Sequence, residues 1–238
     1  MTVTPYSTGG SKREQVEHMF DSISPKYDLL NRMLSMGVDQ GWRRKTVRLL
    51  GQEPVAHLLD VATGTADLAI MAARKVDRVT GIDISEGMLS QGRVKLAKRG
   101  LVDRITLAQA DSTALPFPDA TFDAVTVAFG VRNFEDLEAG LREMIRVLKP
   151  NGRIFVLEFS KPQRTPMRQL FRFYFHRVMP LIGRAVSKDS AAYTYLPKSV
   201  DAFPEGPAFL AMLKNAGCRE ADARSLTGGI ATLYIARK

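Results

Sequence analysis

Between Glu14 and Leu50 the apolar positions recur at helical spacing. Val16, Met19 and Phe20 form one group, Leu29, Leu30, Met33 and Leu34 a second, and Trp42, Val47, Leu49 and Leu50 a third. Pro25 and Gly37 interrupt the series, so it predicts three short helices. Residues 1–13, polar and with a Gly9-Gly10 pair, read as a loose tail. After Pro54 the period changes. Short β-branched runs at 56–61, 78–82, 105–109, 124–129 and 153–159 predict strands. Amphipathic stretches between them predict helices at 67–75, at 86–100 with Ser85 as N-cap, and at 137–148, the last stopped by Pro150. Strands alternating with helices imply a parallel sheet covered on both faces.

The end of the chain departs from that alternation. Residues 166–195 look helical and aromatic, 207–216 make a helix closed by Gly217, and runs at 219–226 and 230–236 face each other across Gly228-Gly229 as a hairpin. The fold class expected is therefore α/β: one doubly wound, mostly parallel seven-stranded sheet ending in an antiparallel hairpin. A single domain over 1–238 is expected, with a helical cap at 1–50 and a helical insertion at 160–203 over the active site.

Composition narrows the function classes. No apolar run approaches the roughly 18 residues of a spanning helix, so any membrane contact should be peripheral. The N-terminus lacks a secretory pattern. Cys218 is the single cysteine, and His18, His57 and His176 are scattered without metal-ligand spacing. A cytoplasmic location and a mechanism without metal are expected. The net charge of +9 points to an anionic partner: nucleic acid, an acidic lipid surface, an acidic small molecule, or no more than a basic solvated surface. One basic concentration is Arg43, Arg44, Lys45 and Arg48; the other is 161–188, with seven basic residues and no acid.

In an open parallel sheet, ligands bind beyond the carboxyl ends of the strands, usually at the first strand-to-helix turn. Here that turn is Asp60-Val61-Ala62-Thr63-Gly64-Thr65-Ala66-Asp67. Its one glycine, Gly64, does not make the G-x-G-x-x-G spacing that cradles a dinucleotide pyrophosphate. Small residues still let the backbone approach a ligand without phosphate. Asp83 closes the second strand about twenty residues on, where a carboxylate accepts both hydroxyls of a ribose. Asp111 and Ser112 close the third strand, within reach of an adenine amine. Asp60, Asp83 and Asp111 together read as three ligand-facing acids at three strand ends.

The segments LDVATGTADL, VTGIDISEGML, ADSTALPFPDATFDAV, AFGVRN and RVLKPNGRIFVLEFSKP, with FDSISPKYDLLNRMLSMGVDQGWR before them and YTYLPKSVDAFP after, resemble the menaquinone and ubiquinone biosynthesis C-methyltransferases. The likeness covers nearly the whole chain. It implies a Rossmann-like class I methyltransferase fold, S-adenosylmethionine as cofactor, and contacts to it from Thr65, Asp83, Asp111 and Ser112. Ala62 and Ala66 stand where the general pattern has glycine. Ala128 stands where ubiquinone-pathway members often have serine, which favours a menaquinone precursor, demethylmenaquinol, over a benzoquinol.

A sulfonium methyl is already electrophilic, so such an enzyme must mainly align a nucleophilic carbon and exclude water. Arg132 and Asn133 follow the fourth strand. Arg132 is assigned to stabilising a developing phenolate and Asn133 to orienting the ring or a proton-accepting water; a plain ion pair between Arg132 and Glu135 is the structural alternative. The turn 128–133 lacks the Asn/Asp-Pro-Pro-aromatic pattern of enzymes that methylate nucleic-acid amines, and Cys218 is poorly placed for a base-carbon nucleophile. Nucleic acid is therefore not the expected partner. An RNA or small-phenol methyltransferase and a non-catalytic S-adenosylmethionine-binding protein remain the alternatives, and oligomeric state is open, a homodimer included. Phe171, Tyr174, Phe175 and Val178, with Met179 adjoining, make an apolar stripe beside Arg168 and Arg172. It reads either as a helix docking on the anionic inner face of the membrane or as a roof over the active site.

Overall fold

The computed structural model describes residues 3–7, 9–178 and 191–238. Among them, seven strands form one sheet: β1 (His57–Val61), β2 (Arg78–Asp83), β3 (Ile105–Gln109), β4 (Phe122–Ala128), β5 (Leu148–Phe159), β6 (Glu220–Leu226) and β7 (Ala231–Arg237). Their spatial order is 3-2-1-4-5-7-6. Neighbours run parallel except β7, which is antiparallel to both β5 and β6. Strand order reverses beside β1, so β1 and β4 part at their carboxyl ends and leave a crevice between the loops that follow them.

Both faces of the central strands are apolar because helices cover both. Three helices lie on one side: α3 (Val38–Leu50), α4 (Asp67–Ala72) and α5 (Glu86–Arg99). Their core joins Leu50, Leu68 and Leu96 to Leu58, Val79, Phe155 and Leu233. On the other side, α6 (Leu137–Val147) and α9 (Pro207–Asn215) pack Leu141, Met144, Ile145 and Leu213 on Leu59, Val125, Ile154 and Val156. Alternate residues of one strand thus feed different cores. Arg153 on β5 reaches back to the carbonyls of Leu49 (3.2 Å) and Leu50 (2.8 Å) at the carboxyl end of α3.

A third core sits above the carboxyl edge of the sheet. It is built by α1 (Lys12–Ile23), α2 (Tyr27–Leu34), α7 (Met167–Phe173) and α8 (Ala191–Ala202), through Val16, Met19, Leu30, Phe171, Phe175 and Tyr195. The segment before β1 and the segment between β5 and β6 therefore meet over the carboxyl edge of the sheet.

Several boundaries differ from expectation, each for a local reason. The tail does not stay loose to residue 13: Ser11 caps α1 in a reciprocal capping box with Glu14, so Lys12 and Arg13 are helical. The strand expected at 124–129 ends at Ala128, because Phe129 turns into the left-handed region (φ 62°). The helix expected at 137–148 stops at Val147, since Leu148 is extended and pairs with Phe122. The stretch 166–195 is not one helix. α7 passes into a single π-helical turn at Tyr174–Val178, and α8 begins at Ala191, while 179–190, Met179 included, lies outside the described residues. The hairpin turns through Thr227–Gly229 rather than two glycines alone.

Gly130 marks how tightly the two central strand ends approach. A Cβ there would fall 2.6 Å from the Ala62 Cβ. Gly41, by contrast, is an exposed position inside α3 with nothing within 4 Å of such an atom. Gly130→Ala is expected to lower unfolding free energy by about 1–3 kcal/mol through overpacking. Gly41→Ala should raise it by about 1 kcal/mol. Denaturant titrations of both variants check the contrast.

Candidate active site

Two adjoining cavities occupy the crevice. The narrower one is lined at its base by Val61, Ala62 and Gly64 after β1, Asp83 and Ile84 after β2, Asp111 and Ser112 after β3, and Ala128 after β4; α1 covers it with Arg13, Val16 and Phe20. The three strand ends expected to hold a cofactor, and with them that of β4, are thus brought to one cleft.

The acids divide the work differently from their expected common role. Asp60 does not face a ligand. It is 1% exposed and accepts the hydroxyl protons of Thr63 and Thr126, both at 2.6 Å, tying β1 to β4 and to its own loop. Burial raises its pKa, and the two hydroxyls work against that rise. Asp83 does line the cleft. Its carboxylate also accepts from the Gly64 N–H (2.8 Å) and the Ser85 N–H (2.9 Å), so it shapes the cofactor loop as well as facing it. Burial pushes its pKa up to about 6. Asp111 accepts from Thr113 through one oxygen and pairs with Arg13 at 3.0 Å through the other.

Thr65 is the assigned residue the structure turns away. Its hydroxyl donates to Asp28 (2.6 Å) and accepts from Lys95 (2.8 Å), whose ammonium also meets Asp28 and Asp67. Thr65 lines neither cavity. It anchors the loop to α2 and α5, and only its backbone neighbour Gly64 meets the cleft. Ala62 and Ala66 both adopt left-handed backbone (φ 51° and 65°), where a side chain costs about 1–2 kcal/mol that glycine would not. The departure from glycine is thus carried as local strain, not as a blocked site.

α1 is fastened over this cleft at both ends. Lys12 donates to the carbonyls of Arg132 (3.1 Å) and Phe134 (2.7 Å), and Asp21 accepts from the Ser85 hydroxyl (2.6 Å) and the Gly87 N–H (2.9 Å). Burial, then the nearby Arg132 charge, lowers the Lys12 pKa.

The second cavity, of roughly 340 Å³, opens beside the first and shares Phe20, Tyr27, Phe129 and Asn133 with it. Its walls are aromatic. Trp42, Phe129, Phe159, Phe175 and Phe171 follow one another with ring centroids 5.9, 4.6, 5.6 and 4.1 Å apart, and Trp42 Nε1 donates to Thr227. Phe171, Tyr174 and Phe175, three members of the stripe on α7 and the turn after it, face this cavity, so the stripe serves as the roof. Tyr174 fixes it by donating to the Leu34 carbonyl at 2.7 Å.

Asn133 lines both cavities, and Arg132 beside it lines the second. Arg132 does not pair with Glu135, whose carboxylate instead accepts the Lys12 N–H. Its partner is Glu158 at the end of β5, 2.9 Å away and fully buried, and the guanidinium lies 5.6 Å from the Phe159 ring centroid. Arg132 also donates to the Phe129 carbonyl. Sequence reasoning missed Glu158, Tyr27 and Tyr195 as site residues. The signal for Glu158 was an acid between the apolar run Ile154-Phe155-Val156-Leu157 and Phe159; the tyrosines carry no such local mark. Cys218 lies in the sheet core, where burial pushes its thiol pKa up to about 11.

An open sheet of this order, with a small-residue loop after β1, an acid after β2 and a single reversed strand near one edge, defines a Rossmann-like methyltransferase of class I. The chain belongs to the ubiE/COQ5 methyltransferase family, whose model matches residues 8–238. It is 48% identical over 238 residues to a demethylmenaquinone methyltransferase of Bacteroides fragilis, covering 99% of this chain and 97% of that one. It is 46% identical over 230 residues to the ubiquinone/menaquinone biosynthesis C-methyltransferase UbiE of Geobacter sulfurreducens, covering 95% and 90%. Among solved structures, an S-adenosylmethionine-dependent methyltransferase of Thermotoga maritima superposes with a TM-score of 0.66 at 16% identity, over 93% of this chain and 99% of that one, a likeness of fold.

Asp83 supplies a test of the loop. Asp83→Asn leaves the Gly64 or the Ser85 N–H facing an amide donor and should cost about 1–3 kcal/mol. Because the folded pKa is raised, the carboxyl group's own contribution is largest below the unfolded value and is lost as pH rises through about 6. The stability difference between wild type and Asp83→Asn should therefore grow as pH falls from about 6 to about 4 and stay flat above 7. Urea titrations across that range measure it.

Proposed function

We propose that this protein transfers a methyl group from S-adenosylmethionine to a ring carbon of a polyprenyl quinol, demethylmenaquinol first among them. The observation that carries this reading is the shared wall. A cleft with ribose- and adenine-suited acids meets, at Tyr27, Phe129 and Asn133, a large aromatic cavity fit for a prenylated ring. Asp83, Gly64, Asp111 and Ser112 would hold the cofactor, and the small residues Ala62, Gly64 and Ala128 beside them leave room for it. When bound, it supplies an electrophilic methyl. The protein does the rest. Phe129 and the aromatic walls exclude water, and the Arg132 guanidinium, held by Glu158, offers positive charge to a developing phenolate. An apolar lining favours a prenyl quinol over RNA, and Ala128 in the cleft favours the naphthoquinol over the benzoquinol.

Reduced short-chain demethylmenaquinol with labelled S-adenosylmethionine tests the proposal, with methylated product identified by mass. Cofactor binding without turnover would make the protein a sensor; methylation of a benzoquinol or of RNA in preference would replace the substrate. Arg132→Lys keeps the charge but loses the planar guanidinium whose Nη1 donates to both the Phe129 carbonyl and Glu158. It should lower kcat by about tenfold or more, with S-adenosylmethionine affinity unchanged in calorimetry.

A lipid-dissolved substrate also needs a route in, and we propose peripheral docking on an anionic membrane by the face around the cavity mouth. No helix among the described residues is long and apolar enough to cross a membrane. Outside the roof stripe, Met36 (77% exposed) and Leu170 (61%) line the mouth, and Leu29, Met33 and Phe173 extend the exposed apolar face along α2 and α7. Arg32, Arg168 and Arg172 stand among them. Each basic residue near an anionic surface contributes about 1 kcal/mol. Binding to phosphatidylglycerol vesicles in co-sedimentation should weaken with salt and fall in Arg168→Glu/Arg172→Glu and in Met33→Asn/Phe173→Asn. Salt-insensitive binding, or none, removes the docking face.

A further inference from the structure

Most buried polar side-chain atoms in folded proteins find a hydrogen-bond partner. Among the described residues four do not: Arg132 Nε, Asn133 Oδ1, Glu158 Oε2 and the Tyr195 hydroxyl. They come from three distant segments, the turn after β4, the end of β5, and α8. The fold gathers them. Arg132 and Glu158 are in contact at 2.9 Å, α8 packs on the Val131–Asn133 turn, and the Tyr195 hydroxyl feels the charges of both Arg132 and Glu158. Arg132, Asn133 and Tyr195 line the aromatic cavity, whereas Glu158 lies behind Arg132 with no exposure at all.

Unsatisfied groups collected at one end of an otherwise apolar cavity are an inventory of what its ligand must offer. Arg132 Nε is a donor. Burial pushes the Tyr195 phenol up to about 12, so it stays protonated and is a donor as well. Asn133 Oδ1 is an acceptor. Two donors and one acceptor complement an aromatic ring that carries one ionised oxygen and one hydroxyl.

We propose that Tyr195 is a further catalytic residue, its hydroxyl donating to the ring oxygen on which negative charge develops, beside Arg132 Nε, while Glu158 is a positioning residue that holds Arg132 in that orientation. Asn133 Oδ1 then accepts the proton of the second ring hydroxyl. The inference rests on the quinol reading above and names the groups that read the ring. Glu158, sealed behind Arg132, acts through the guanidinium and does not itself meet the ring.

Tyr195→Phe removes only the hydroxyl. With reduced short-chain demethylmenaquinol it should lower kcat/KM on the order of 10- to 100-fold, as for a hydrogen bond to a charged group. The acid limb of the kcat pH profile should move upward by about one pH unit, because the bound phenolate loses a donor. Thermal stability should be unchanged or raised, since a buried unpartnered group is gone, and S-adenosylmethionine affinity should stay as in wild type. A merely structural tyrosine would move stability and leave the pH profile alone. Glu158→Gln should lower kcat with cofactor binding intact, and Glu158→Asp should recover part of it. If the wild type turns over no quinol, the quinol reading fails by itself. The hydroxyl assignment is then decided by calorimetric binding of 1,4-dihydroxynaphthalene, kept reduced, which Tyr195→Phe should weaken about tenfold. Wild-type turnover and pH profile in Tyr195→Phe, or unweakened binding in that last case, overturns the proposal.

Discussion

Arg132 and Glu158 meet 2.9 Å apart, the carboxylate wholly out of water and the guanidinium nearly so. Taking two such charges from solvent costs several kcal/mol per ion, which mutual attraction only partly offsets. Burial raises the Glu158 pKa, and the Arg132 charge is the largest force acting against that rise. An apolar pair of the same shape would be at least as stable, so stability does not explain this one. What it does is fix a cation at the end of an aromatic cavity. Phe129 depends on the same corner: its left-handed backbone, a cost of about 1–3 kcal/mol, is held by its N–H to the Leu157 carbonyl at 2.7 Å and by Arg132 on its own carbonyl.

That corner divides the crevice in two. On one side small residues and acids at four strand ends leave room for a polar, flat ligand; on the other, five aromatic rings build a dry chamber. The cap covers both compartments. α1 crosses the polar cleft and is pinned by Lys12 at the β4 turn and by Asp21 at the start of α5, while α7 and α8 roof the apolar one. Arg13 on Asp111 fastens α1 to the loop after β3, and Lys95 of α5 ties Asp28 of α2 to Asp67 at the start of α4. Arg13 of α1 thus meets Asp111 within the polar cleft, and any movement of α1 changes that cleft directly.

Much of this was legible in the chain because its causes are local. The alternation of β-branched runs with amphipathic stretches set the sheet and its layers, since each strand must bury both faces under helices. The positions of Gly64, Asp83, Asp111 and Ser112 at strand ends placed them in one cleft, because parallel strands deliver all their carboxyl ends to the same edge. Arg132 and Asn133, directly after β4, followed from the same geometry.

What the tertiary structure alone decided is which atom each of these residues faces. Asp60 and Asp83 both lie near the carboxyl ends of adjacent strands, Asp60 opposite Gly81 and so two residues short of Asp83. Yet two threonine hydroxyls from neighbouring backbone close Asp60 off, while Asp83 stays open to the cleft. Thr65 belongs to the loop in sequence but to the Asp28–Lys95 network in space, because a helix 37 positions earlier supplies its partner. The apolar stripe on α7 and the turn after it suited a membrane or a roof, and Leu34 and the cavity gave Phe171, Tyr174 and Phe175 their neighbours. Tyr195 becomes part of the site only through packing between α8 and the turn after β4, a contact no local pattern encodes. A sequence fixes the period of its elements and the residues at their ends; the pairing of side chains from distant elements is set by how the layers close on one another.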